Sequence, residues 1–146
     1  MKLLLHACCG PCSLEPVRIL AEAGHDITIT YLNSNIAPAS EYEHRLETLL
    51  EWAKSQNIPV IEGPYEPANW QNAIKQSWNG TQENRADRCR ACYRIRLEEL
   101  ARYAYKHGFE GIGTTLTVSP YQYIGIINEE LERAAAPYEG LSAVFQ

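Results

Sequence analysis

Apolar and polar positions along the chain fall into two alternating kinds of block. Short runs of apolar or β-branched residues are separated by longer stretches in which apolar residues recur every three or four positions. The first run, "KLLLHAC" over residues 2–8, ends at Gly10 and Pro11 and predicts a buried strand. Ser13 then predicts a helix cap, with Pro16 in the first turn and Gly24 as the stop. "DITITYL" predicts a second strand. After the loop "NSNIAPAS", the spacing of Tyr42, Leu46, Leu49, Leu50 and Ala53 predicts a helix over 41–56. "IPVIEG" predicts a third strand. From Pro64 a weakly periodic helix carries Trp70 and Trp78, and "NGTQENRAD" reads as a polar loop. Tyr93, Leu97, Leu100, Ala101 and Ala104 share one face of a helix predicted over 90–107, with Gly108 behind it. "FEGIGTTLT" predicts a fourth strand, a last helix covers 120–135, and "GLSAVFQ" reads as the start of another strand. The alternation is α/β: an open, mainly parallel sheet with helices on both faces.

With 146 residues the chain predicts one domain, able to bury roughly 68–70% of its unfolded surface without a disulfide. The apolar start is shorter than a signal-peptide core and no later run approaches a spanning helix, so the sequence reads as soluble and cytoplasmic with no membrane partner. Five cysteines in such a setting point to metal ligation or redox chemistry. Cys8, Cys9 and Cys12 stand in "HACCGPCS" at the carboxyl end of the first strand, and Cys89 and Cys92 lie at the start of the helix before the fourth. Ligands of open α/β sheets bind outside the carboxyl ends of the strands, the edge that also receives "NSNIAP" and "TTLTVSPYQ". Thiolates gathered there suit zinc or iron–sulfur. The adjacent pair Cys8–Cys9 departs from the two-knuckle pattern of structural zinc, although a zinc-stabilised nucleic-acid-binding module stays open. "CGPC" also matches a thioredoxin-like dithiol, which would use Cys9 and Cys12 and leave the other three cysteines idle.

The net charge of −5 argues against general nucleic-acid binding, but its distribution modifies this. Arg85, Arg88, Arg90, Arg94, Arg96 and Arg102, out of 13 basic residues, crowd around the second cysteine pair. A solvated helix face with local ion pairs to Glu98 and Glu99 explains such a run. Its position beside Cys89 and Cys92 favours an anion-binding rim more than the run alone does.

"HACCGPCS", "NSNIAPASEYEHRLETL", "IPVIEGPYEPANW", "RCRACYRIRLEELA" and "GTTLTVSPYQ", in this order, resemble the QueH-type epoxyqueuosine reductases over nearly the whole chain. The resemblance implies a core like that of the adenine nucleotide alpha-hydrolases and an iron–sulfur enzyme, expected to use a 4Fe-4S cluster. The implied reaction converts epoxyqueuosine to queuosine in the tRNA anticodon loop, with electrons from an external donor. It implies that Cys8, Cys9, Cys89 and Cys92 hold the cluster, while Cys12 is a ligand to it or to a further metal ion beside it. Arg96, Thr114, Thr115, Ser119 and Pro120 match the family's motifs and would line the substrate pocket with Asn33 and Asn35. Arg85, Arg88, Arg90 and Arg94 would grip tRNA phosphates, and Tyr93 or Tyr121 could deliver protons. His6 reads as a packing residue within the first strand. Family members are expected to continue beyond the equivalent of Gln146 into a segment rich in Arg and Tyr with more cysteines. The chain therefore reads as one iron–sulfur reductase domain over 1–146, either a short form or one lacking that segment.

Overall fold

The computed structural model describes residues 1–8, 10–77, 85–118 and 123–145. Its elements alternate as the sequence predicts. Strand β1 (Lys2–His6) leads to helix α1 (Gly10–Glu22), β2 (Asp26–Tyr31) to α2 (Ala39–Ser55), and β3 (Val60–Glu62) to α3 (Pro67–Ser77) and α4 (Arg85–Lys106). Strand β4 (Gly111–Thr114) is followed by a 3-10 turn at Leu116–Val118, α5 (Ile124–Ala135) and the short β5 (Ser142–Ala143). The described strands form one parallel sheet in the order β3-β2-β1-β4-β5. No described helix is long and apolar enough to cross a membrane.

The central strand shows why the sheet needs cover on both sides. Leu3, Leu4 and Leu5 of β1 are all fully buried, as expected where helices pack on each face. Leu4 joins Leu97, Leu100, Ala104, Ile127 and Leu131 under α4 and α5. Leu3 and Leu5 join Val17, Leu20, Ile29, Leu46 and Leu49 under α1 and α2. In β4, glycines stand at 111 and 113 because neighbours crowd both: a Cβ at Gly111 would lie 2.6 Å from Met1 Sδ and 3.1 Å from Val144 Cγ2, and one at Gly113 3.2 Å from Leu5 Cδ1.

Three helices return to the sheet by one device. After α1, α2 and α4 the chain turns through a left-handed residue, Gly24 (φ 92°), Asn57 (φ 57°) and Gly108 (φ 77°). In each turn the next amide reaches back to the helix: His25 N–H to Leu20 O (3.1 Å), Ile58 to Ala53 (2.9 Å) and Phe109 to Ala104 (2.9 Å). These Schellman closures satisfy the last helical carbonyls and make the amino edge of the sheet tight. The longer connections lie at the carboxyl edge.

Several boundaries differ from expectation. Helix α1 begins at Gly10, so Ser13 is a buried residue inside it rather than its cap, and Pro16 lies mid-helix. Pro11 fits an early start because its fixed φ suits a first turn. Pro16 has no N–H for the Cys12 carbonyl, so the α1 ladder skips that rung. Helix α4 begins at Arg85, not Arg90, because Arg and Ala favour helix even without an apolar stripe. Cys89 and Cys92 consequently sit beyond the first residues of α4 rather than on its unpaired N–H groups. Helix α5 begins at Ile124. Trp78, Ser119, Pro120, Tyr121 and most of "NGTQENRAD" lie outside the described residues.

Candidate active site

The sheet order reverses between β1 and β4, which places a crevice outside their carboxyl ends. His6 ends β1 and is paired in register with Thr114, which ends β4. The His6 ring is completely buried. Burial and the nearby Arg96 charge push its pKa down to about 3, so it carries one proton. Its Nε2 lies 3.2 Å from the Leu32 carbonyl, which can only accept, so the proton belongs on Nε2. Nδ1 is then the acceptor for the Thr114 hydroxyl at 3.0 Å, and Thr114 Oγ1 accepts the Leu116 N–H at 3.2 Å. Packing was the expected role of His6. The structure adds that the ring bolts the ends of β1, β2 and β4 together.

A second chain of buried bonds runs from this edge to α4. Asn33 is fully buried; its Nδ2 donates to the Ala7 carbonyl at 2.9 Å and its Oδ1 accepts from Arg96 Nη2 at 2.8 Å. Arg96 Nε donates to the Leu32 carbonyl at 3.3 Å, and Nη1 donates toward Cys92 Sγ at 3.7 Å. From α3, Trp70 Nε1 reaches the same sulfur at 3.1 Å. The residue before the first cysteine cluster is thereby joined to a cysteine of the second through Asn33 and Arg96.

The four described cysteines all lie on this side of the fold. Cys8 follows β1, Cys12 is in the first turn of α1, and both are half-buried. Cys89 is half-buried and packs against the cluster that includes Leu4, while Cys92 is buried. Cys9 lies outside the described residues. Among the described residues, no three His, Cys, Asp or Glu side chains form a group that could hold a metal ion.

The expected substrate contacts divide. Arg96 is 6% exposed, and its guanidinium is engaged with the protein. Asn35 Oδ1 and Thr115 Oγ1 are buried without a hydrogen-bond partner. An unmet buried acceptor or hydroxyl is costly. A cleft of about 290 Å³ is walled by Leu32, Ser34, Glu66, Trp70, Arg96 and Arg102. Tyr93 is also buried, and its hydroxyl accepts the Tyr123 N–H at 3.4 Å. Burial, then the neighbouring thiols Cys89 and Cys92, raise its pKa to about 12, making it a weaker acid than an ordinary phenol.

The arginine run is also divided. Arg90 Nη1 donates to Glu130 Oε1 at 2.9 Å, and Arg94 binds both oxygens of Glu130 at 3.0 and 2.8 Å. Arg90 also reaches Glu129 at 3.2 Å. Glu130 is 1% exposed. Burial raises its pKa, but the hydrogen bonds from Arg94 and Arg90 outweigh this and hold the carboxyl below its ordinary range. Arg102 pairs with Glu99. The Arg88 guanidinium lies 5.5 Å over the Trp70 ring, and the Arg85 side chain lies outside the description. Glu130 and Trp70 are the two site-building residues to which sequence reasoning gave no such part. Glu130 could have been found, because it falls on the buried stripe Ile127, Leu131, Ala134 of α5. Nothing in the sequence links Trp70 to Cys92.

Comparison with known proteins gives a consistent result. The model of the family described as epoxyqueuosine reductase QueH matches residues 3–146. A Haemophilus influenzae protein of that name is 38% identical over 139 residues, covering 94% of this chain and 56% of the relative. The Acinetobacter baylyi protein is 38% identical over 137 residues, 94% of this chain and 62% of the relative. The Staphylococcus aureus protein is 34% identical over 134 residues, 88% of this chain and 55% of the relative. The chain thus spans little more than half the length of these relatives.

Proposed function

Because this chain belongs to the QueH family of epoxyqueuosine reductases, we propose that it reduces epoxyqueuosine to queuosine in tRNA, in the cytoplasm, at the crevice where β1 and β4 end. The observation that carries this reading is the bond chain Ala7–Asn33–Arg96–Cys92, which ties together the two segments that bear the thiols.

The thiol donors are chemically of the kind an iron–sulfur cluster takes. Cys8, Cys9, Cys89 and Cys92 would hold it, with Cys12 as a ligand to it or to a further metal ion. Two N–H donors already meet Cys92 Sγ, the kind of outer support that ligating groups need. Among the described residues no carboxylate pairs with the buried Arg96, and a metal-bound thiolate would supply the missing negative charge. When bound, the cluster would supply electrons one at a time from an external donor, and a coordinatively open metal ion beside it would act as a Lewis acid.

The chain's own residues have separate tasks. Converting an epoxide to an alkene releases water and consumes two electrons and two protons. Among the described residues, Thr115 Oγ1 and Asn35 Oδ1 are the unmet buried polar atoms that would fix the substrate, the first as donor or acceptor and the second as acceptor. Neutral His6 and Thr114 keep the crevice floor rigid. Ser119 and Pro120 complete the pocket by family motif. Tyr93, whose hydroxyl lies against the Tyr123 amide, and Tyr121 are the two candidate proton donors. A base of the single-stranded anticodon loop can be swung out to reach the site at low cost. Arg85 and Arg88 then hold phosphate, and Arg90 and Arg94 do so only in competition with Glu130.

Anaerobic purification, an absorption spectrum, metal analysis and an assay on epoxyqueuosine-containing tRNA test the proposal together. A brown protein that converts the base is the expected result. A colourless protein with one zinc, or a metal-free one that turns over disulfides through Cys9 and Cys12, overturns it.

A further inference from the structure

Cys92 is set apart by what its sulfur touches. The Trp70 indole N–H reaches Sγ from α3 at 3.1 Å, and the Arg96 guanidinium reaches it from the next turn of α4 at 3.7 Å. Neither donor is placed loosely. Arg96 is pinned by the Leu32 carbonyl and by Asn33 Oδ1, so its fork cannot swing away from the sulfur. Trp70 N–H is a donor only, and the face of its ring is covered by Arg88. A buried guanidinium among neutral acceptors is costly and calls for an anion. Cys92 Sγ is the one group in its hydrogen-bonding circle that becomes anionic on binding a metal.

We propose that Trp70 and Arg96 are positioning residues for Cys92, aiming its sulfur as a ligand and drawing electron density from it, so that they raise the reduction potential of the cluster. This rests on the iron–sulfur reading above. Hydrogen bonds to the sulfurs are among the factors that set cluster potentials, and partners behind a ligand influence how firmly the metal is held.

The test uses the whole chain and Trp70→Phe, which keeps an aromatic ring and deletes the N–H. After anaerobic reconstitution with iron and sulfide, the expected result is a cluster whose midpoint potential is more negative than in the wild type. Arg96→Lys, which loses the rigid fork, is expected to shift it in the same direction and to weaken iron retention about 10–100-fold. A Trp70→Phe protein that holds its cluster at the wild-type potential overturns the inference and leaves the proposed function standing. A wild-type chain that assembles no cluster overturns both. A second readout needs no metal. In the 1H–15N spectrum of the unloaded protein, the indole signal that Trp70→Phe removes is expected to move in Cys92→Ala, and an unmoved signal overturns the hydrogen bond itself.

Discussion

At the scale of single residues the site depends on polar atoms that have no solvent to fall back on. Thr114 illustrates this: one hydroxyl serves both the His6 ring and the Leu116 amide. Thr114→Val keeps the shape and removes both bonds, and is expected to cost about 1–3 kcal/mol in a denaturant titration. The charge of Arg96 belongs to the same scale. Its place on the same side of α4 as Cys92, four residues on, is visible in the sequence, because i and i+4 share a helix face. Its partners Asn33 and Leu32 are not visible there, since they come from the far end of β2 and meet it only through the fold. The family motif implied substrate contact for Arg96; its guanidinium is engaged with Leu32, Asn33 and Cys92 within the protein.

At the scale of elements, α5 controls how α4 is held. Glu130 accepts from Arg90, between Cys89 and Cys92, and from Arg94, two residues beyond Cys92. The folded carboxyl loses its proton more readily than the unfolded one, so its stabilisation is complete above the ordinary carboxylate range and fades as pH falls through the lower folded value. Arg90, Arg94, Arg133 and Glu129 are the charges that face it. Glu130→Gln is expected to lower stability by about 1–3 kcal/mol near neutrality. It is also expected to flatten the loss of stability below about pH 4, measured by unfolding across pH. The strands and the left-handed stops at Gly24 and Gly108 were readable because punctuation and apolar runs are local signals. The start of α4 was not, because Arg85 to Arg88 offers no apolar stripe and the helical period begins only farther on, with Tyr93 and Leu97.

At the scale of the molecule the acidic balance of −5 means that any grip on tRNA must be local. Glu130 already offsets much of the charge of Arg90 and Arg94, so those two can meet phosphate only in competition with it. Arg88→Ala is expected to weaken tRNA binding across sequences and to reduce the salt slope by about 1, read from binding at several ionic strengths. Arg94→Ala, by contrast, is expected to show itself in unfolding. The parts of the molecule also meet at a single peptide oxygen. The Leu32 carbonyl takes the His6 ring from β1 and the Arg96 guanidinium from α4. No substitution at position 32 can delete an atom of the main chain, so this rivet is immune to direct point mutation. It can still be tilted from behind, because a Cβ at Gly63 would fall 1.9 Å from the Leu32 side chain. Gly63→Ala is expected to cost about 1–3 kcal/mol by overpacking and to loosen both halves of the crevice at once, visible as faster amide exchange at β1 and at α4 together.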